Sequence, residues 1–167
     1  RFDRVFSIAC FEHIHTLGLA LEKMHKALRQ GGKLFTMFSP IWSAYDGHHI
    51  PNIVDGNGKE WTKANSPIPP WGHLLNSPAQ MERHLLTQTD RRTASQIVYH
   101  IYHNQHINRL FAENYIEYIQ DSAFEAEQFQ LTFPSQIPES IQKALETRFP
   151  GKKYFSNNGI LLILKKA

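Results

Sequence analysis

Hydrophobic positions predict a strand, a helix and a second strand within the first 38 residues. An almost unbroken apolar run at residues 4–11 is typical of a strand that is buried on both faces. After Thr16, a residue type that caps helices, apolar residues recur at helical spacing with charged residues between them. Gly31 or Gly32 is expected to end this helix, and residues 33–38 form the next strand. Two strands joined by a helix through short connections form a parallel pair with a right-handed crossover.

The pattern breaks at residues 39–78, which contain all three tryptophans and many of the prolines. A long irregular segment is unusual unless it is functional, and this one follows the carboxyl end of a strand, where open α/β sheets bind ligands. Beyond it, apolar spacing predicts helices near residues 78–88, 93–102 and 107–122, with Ser77 capping the first. A strand at 124–133, a helix at 138–149 and a final strand at 159–165 complete the prediction.

Composition favours one globular domain. The chain has 167 residues, of which 41% are hydrophobic and 20% charged, so it can bury a core of its own. We predict a single domain over residues 1–167, in which residues 39–78 form a lid over the substrate. The net charge is +3 and the basic residues are scattered, which argues against a nucleic-acid partner. No apolar run approaches the roughly 20 residues of a membrane span, and the single cysteine, Cys10, fits a reducing, cytoplasmic location.

Three short motifs in the first part of the chain carry a family resemblance. They are the strand start Phe2-Asp3-x-Val5, the pair Glu12-His13, and the turn Leu28-Arg29-x-Gly31-Gly32. In order and spacing, residues 2–42 resemble the C-terminal portion of class I S-adenosylmethionine-dependent methyltransferases. The resemblance implies an α/β fold, a partial Rossmann-like three-layer sandwich with parallel strands and a C-terminal antiparallel strand pair. It also implies S-adenosylmethionine as the cofactor and methyl transfer to a small-molecule acceptor.

The sequence departs from the family pattern in its cofactor loop. The family's glycine-rich loop and its ribose-binding acid are absent, and the G-x-G at residues 56–58 is interpreted as a turn because no helix pattern follows it. We therefore expect a fragment with about half of a cofactor site, inactive alone, whose exposed sheet edge would support a homo-oligomer. Two alternatives stay open: a non-catalytic methyltransferase-like module that binds a protein partner, and another doubly wound protein such as a nucleotide-binding enzyme.

The resemblance also suggests roles for individual residues. Ser7, Ile8, Ala9 and Cys10 are expected to line the cofactor, although a plain core strand would explain them as well. His13 is expected near the transferred methyl group, where an imidazole can accept the acceptor's proton.

His48 and His49 are the other candidate bases. In an extended segment, adjacent side chains point to opposite sides, so at most one of the two histidines would face the cleft, where Asp46 could orient it. A pair that only orders the loop is the alternative. Trp42 and Trp71, with Trp61, are expected to cover the substrate, or else to give the proline-rich segment a small core.

A metal site is not predicted. His13 and His15 lack a third ligand at a familiar spacing, and no acid or cysteine joins His100, His103 and His106. Glu12 is expected to cap the following helix or to form a salt bridge with it.

Overall fold

The computed structural model describes residues 1–167. In chain order, its elements are β1 (Phe2–Ile8), a 3₁₀ turn (Phe11–His13), α1 (Leu17–Ala27), β2 (Leu28–Phe38), β3 (Ile53–Val54), β4 (Glu60–Trp61), α2 (Gly72–Leu75), α3 (Pro78–Leu85), α4 (Arg91–Tyr102), α5 (Ala112–Gln120), β5 (Phe124–Pro134), α6 (Glu139–Arg148) and β6 (Asn157–Lys166). Each helix and strand predicted from the apolar spacing is present, with boundaries that differ by a few residues.

Strand order confirms the predicted fold class. The main sheet has the order β1-β2-β6-β5, in which β1 and β2 are parallel and α1 makes the connection between them. β6 runs antiparallel to both β2 and β5, so the C-terminal strands form the predicted antiparallel pair. The result is a mixed α/β fold with β1 at one edge of the sheet.

The main core lies on one face of this sheet. Alternate residues of β2 and β6 are fully buried there, and the apolar faces of α1 and α5 pack against them. The largest contributors are Phe11, Leu17, Leu34, Phe38, Tyr115 and Leu162. Because successive side chains of a strand point to opposite faces, the remaining residues of β2 and β6 lie on the other face of the sheet.

The prediction that β1 is buried on both faces is wrong. Phe6 is 67% exposed and Ile8 is 55% exposed, because the helices cover only the opposite face and β1 has a single neighbouring strand. The chain therefore supplies two of the three layers of the expected sandwich. An apolar run in sequence indicates a strand, but it does not show which layer covers each face.

The end of the first helix also differs from the prediction. α1 ends at Ala27, and Leu28 is already extended, with φ −74° and ψ 147°. Gly31 has a left-handed φ of 73°, but it lies inside β2, where the register with β1 shifts, and not at a helix end. The glycine pair thus serves a bulge, where the strand needs a conformation that other residues adopt only with strain.

Residues 39–78 and the helices that follow them form cores of their own. Apolar residues of α3 and α4 make a second buried cluster with Ile50 and Ile68. Trp71 and Leu74 make a third cluster with Leu145 of α6 and with Phe155. α3 begins with a capping box between Ser77 and Gln80, as its sequence predicts.

None of the helices has the length and apolar character that crossing a membrane would require.

Candidate functional site

The carboxyl ends of β1 and β2 lie at one edge of the sheet because the two strands are parallel. After β1 ends at Ile8, Ala9 takes a left-handed φ of 47° while its N–H donates to the carbonyl of Met37 at 2.9 Å. Ile8, Ala9 and Cys10 are exposed here, whereas Ser7 is buried and its Oγ has no hydrogen-bond partner. A non-glycine residue with positive φ costs free energy and often marks a functional turn. Three of the four predicted cofactor residues are thus accessible to a ligand.

Three histidines from distant parts of the chain meet near this edge. His13 belongs to the 3₁₀ turn, His49 to segment 39–78, and His106 to the connection between α4 and α5. Ring centroids are 4.8 Å apart for His13 and His106, and 5.5 Å apart for His13 and His49. One potential ligand nitrogen from each ring lies within 4.8 Å of the others. We call these three residues the three-histidine cluster.

Backbone carbonyls determine the tautomers of two cluster members. Nδ1 of His13 lies 2.7 Å from the carbonyl of His106, and Nε2 of His49 lies 2.8 Å from the carbonyl of Pro40. Because a carbonyl oxygen can only accept, each of these nitrogens carries the hydrogen. Nε2 of His13 and Nδ1 of His49 therefore hold the lone pairs of the neutral rings.

Asn108 ties the His106 segment to the turn that carries His13. Its Nδ2 donates to the carbonyls of Phe11 at 2.7 Å and Ile14 at 3.1 Å, and its backbone N–H donates to the carbonyl of Glu12 at 2.8 Å. Sequence analysis did not identify Asn108, since a lone asparagine between two helices carries no pattern.

Contacts to the backbone hold His49 in an unusual conformation. Its φ is 51°, and its carbonyl accepts a hydrogen bond from Nε2 of His100 at 2.9 Å. Burial lowers the pKa of His49 to about 4, so the ring is neutral at pH 7. His49 thus reaches the cluster from a strained loop that α4 supports.

His48 is outside the three-histidine cluster, although it lines the same small cavity as His49. It is buried, accepts a hydrogen bond from the N–H of Ile50, and packs against His73 with ring centroids 5.5 Å apart. Burial lowers its pKa to about 2, which makes it a very weak proton acceptor. Asp46 forms a 2.7 Å ion pair with Lys63 and hydrogen-bonds neither histidine.

The tryptophans differ in accessibility. The expected lid position of Trp71 does not agree with the structure, because the residue is only 3% exposed and its indole N–H donates to the carbonyl of Phe155. Trp61 is equally buried and donates to Asp55. Trp42 is half-buried, with its ring edge-on to His73 and the Arg109 guanidinium 5.5 Å above it. Of the three, Trp42 has the exposure that a substrate contact requires.

Glu12 does not have the role expected of it. Its side chain is buried, its Oε2 has no hydrogen-bond partner, and it neither caps α1 nor forms an ion pair. Burial raises the pKa of this carboxyl group, which favours its neutral form. The residue is part of the core beneath the turn and is not available as an exposed acid.

No protein-family model matches the sequence, and no curated protein matches it. Three solved structures resemble the fold: S-adenosylmethionine-dependent methyltransferases from Mesorhizobium loti and Listeria monocytogenes, and a methyltransferase assigned in Bacillus halodurans. Their sequence identities are 11%, 11% and 10%, and their TM-scores are 0.46, 0.48 and 0.44. The alignments cover 98–99% of this chain but only 62–64% of the others. The chain therefore spans less than two thirds of the length of each of these structures.

Proposed function

We propose that this chain is part of an enzyme that transfers a methyl group from S-adenosylmethionine to a small-molecule acceptor. The observation that supports it best is the convergence of His13 and His49 at the carboxyl edge of β1 and β2, directly after the exposed turn at Ile8. Open α/β sheets bind their ligands at this edge. The resemblance of residues 2–42 to the methyltransferase family and the geometry of this edge both support the proposal.

The residues at the end of β1 fit one side of the cofactor. Ile8 offers an exposed apolar side chain, and the strained backbone at Ala9 leaves Cys10 open to the same edge. When bound, S-adenosylmethionine supplies an activated methyl group, so the protein has mainly to position the acceptor and to accept its proton. The chain spans 62–64% of the length of the resembling structures, so the activity of a whole enzyme is part of this proposal.

His13 is the best-placed proton acceptor in this proposal. Its Nδ1 is held by the carbonyl of His106, so the lone pair on Nε2 can accept a proton from the acceptor's hydroxyl or amine group. The acceptor's own lone pair then forms the new bond to carbon. His49 and His48 are weaker candidates, since burial lowers the pKa of each.

A small cavity beside His49 favours an acceptor of low molecular mass. It encloses about 220 Å³ and is lined by Pro40, Asp46, His48, His49 and Lys63, among others. This volume is below the range of pockets that bind drug-sized molecules. Lys63 and the partly neutralised Asp46 would favour a polar or acidic group at its mouth.

Cofactor binding tests the proposal directly. S-adenosylhomocysteine is titrated calorimetrically into the longest natural protein that contains this chain, and we expect saturable binding. Ile8→Asp should weaken it at least about tenfold, which corresponds to about 1.4 kcal/mol. Val54→Asp is the matched control, because Val54 is also an exposed aliphatic residue but lies in the β3–β4 hairpin.

Two results would contradict the proposal. Absence of binding at millimolar ligand would favour the non-catalytic module that binds a protein partner. Equal affinity of the Ile8 and Val54 variants for S-adenosylhomocysteine would show that the end of β1 is not part of the cofactor site. For residues 1–167 alone we expect weak binding or none.

A further inference from the structure

The three-histidine cluster has the chemistry of a metal centre that the sequence did not predict. Three imidazoles converge, and the group contains no carboxylate or thiol ligand. Imidazole nitrogens suit Zn²⁺ and neighbouring transition metals, whereas Mg²⁺ and Ca²⁺ require oxygen ligands. The donor set therefore points to a zinc-type ion.

Hydrogen bonds from the other ring nitrogens to the backbone support this assignment. Metal-binding histidines usually donate their other ring N–H to a carbonyl or carboxylate, which fixes the ring and its tautomer. His13 has this contact with the carbonyl of His106, and His49 has it with the carbonyl of Pro40. Both lone pairs are thereby available to a metal, on Nε2 of His13 and Nδ1 of His49.

His106 has the freedom to complete the site. Its side chain is exposed, and neither of its ring nitrogens forms a hydrogen bond. Tetrahedral zinc with bonds of about 2.0–2.1 Å places its ligand nitrogens about 3.4 Å apart. One ligand nitrogen from each ring lies within 4.8 Å of the others, so the rings must approach one another on metal binding, and the exposed His106 ring is free to move.

We propose that His13, His49 and His106 bind one divalent transition-metal ion, with Zn²⁺ as the representative, and leave its fourth position open. Three protein ligands and an open position are the arrangement of catalytic zinc sites, whereas structural sites have four protein ligands. The exposure of His106 would give solvent or an acceptor access to the site.

The bound ion would change how the acceptor loses its proton. An acceptor hydroxyl on the open position would have a lower pKa and would release its proton to solvent water, so the His13 ring would no longer be needed as the proton acceptor. This role rests on the proposed function, but metal binding itself does not. The two are separated experimentally, since zinc is titrated without cofactor and S-adenosylhomocysteine is titrated into chelator-treated protein.

Zinc titration with matched histidine variants tests the site. The protein is dialysed against a chelator and titrated with Zn²⁺ by calorimetry, and with Co²⁺ while the visible absorption bands of tetrahedral cobalt are followed. We expect one equivalent, and at least about tenfold weaker binding in His106→Ala and His13→Ala. His103→Ala is the control, since His103 is exposed, lies three residues from His106 and is outside the cluster.

His106→Ala is a clean variant because it keeps the backbone carbonyl that holds His13. Circular dichroism of the metal-free proteins checks that its fold is retained. Loss of binding in His106→Ala but not in His103→Ala supports the site. The proposal is overturned by equal zinc affinity in these two variants, or by a wild-type protein that binds neither Zn²⁺ nor Co²⁺. Failure of cofactor binding would leave the metal result unaffected.

Discussion

At the scale of single residues, Asn108 holds the candidate site together. Its side-chain amide donates to the carbonyls of Phe11 and Ile14, and its Oδ1 accepts from the N–H of Leu110 and the hydroxyl of Tyr115. Tyr115 is 1% exposed, so its hydroxyl has no access to water as an alternative partner. One side chain therefore joins the turn after β1, the connection to α5 and α5 itself.

Replacing Asn108 should destabilise the protein more than the replacement of a single polar residue usually does. Asn108→Ala removes four hydrogen bonds and leaves the buried Tyr115 hydroxyl without a partner, so we expect a loss of about 2–4 kcal/mol in the free energy of unfolding. Tyr115→Phe, which removes one of the four bonds, should cost about 1 kcal/mol. Urea denaturation measures both. Equal losses in the two variants would show that the contacts to Phe11 and Ile14 contribute nothing.

The residue scale is also where sequence analysis was least informative. The family resemblance makes His13 a candidate, whereas spacing groups His106 with His100 and His103. Its contacts with His13 and His49 join segments more than 50 residues apart, and such contacts arise from tertiary folding and not from periodicity. Sequence spacing therefore could not bring these three histidines together, because a group drawn from distant segments has no periodic signal.

At the scale of elements, α3 and α4 form a unit with its own core. Met81 and Leu85 of α3 and Ile97 and Ile101 of α4 are almost fully buried in a cluster distinct from the core under the main sheet. Asp90 caps α4 by accepting from the N–H of Thr93, and it also accepts from the N–H of Gly56 in the β3–β4 hairpin. The helix pair is thereby linked to the segment that carries His49.

A mutation that creates a cavity in the core between α3 and α4 should destabilise only this part of the protein. Ile97 is 0% exposed, so Ile97→Ala should lower the free energy of unfolding of the helix pair by about 2–5 kcal/mol. Because the two cores are separate, hydrogen exchange followed by mass spectrometry should show faster exchange in α3 and α4, with β2 and β6 unchanged. Gln96→Ala is the control, because Gln96 is exposed and adjacent to Ile97 in the chain. Equally faster exchange in β2 would mean that the two cores unfold as one.

Elements with strong local signals were predicted well. Ser77 and Pro78 placed the start of α3 because a cap and a first-turn proline act within a few residues. The apolar run of β6 predicted an inner strand, and its partners β2 and β5 confirm it. The end of α1 was placed too late, because Gly31 has the predicted left-handed φ but uses it in a strand bulge. The backbone conformation of Gly31 was predictable from the sequence, whereas its position inside a strand of the sheet was not.

At the scale of the whole molecule, one face of the sheet has no covering layer. Phe6 and Ile8 are more than half exposed on it, and Phe35 and Ile163 are only partly buried. A cavity of about 280 Å³ lies on the same face and includes Phe6, Phe35 and Ile163 in its lining. The face adjoins β1, whose outer edge has unpaired backbone groups. Apolar surface beside an open strand edge favours association with another chain.

We therefore expect residues 1–167 to self-associate through this face, which adjoins the exposed sheet edge from which the sequence predicts a homo-oligomer. Phe6→Lys should weaken association about tenfold or more, because a charge replaces an aromatic side chain at the centre of the contact. Val54→Lys introduces the same charge at an equally exposed residue of the hairpin and should have no effect. Sedimentation velocity over a range of concentrations measures both. A wild-type chain that stays monomeric at every concentration would refute the contact, and equal weakening by both variants would show that charge, and not this face, controls association.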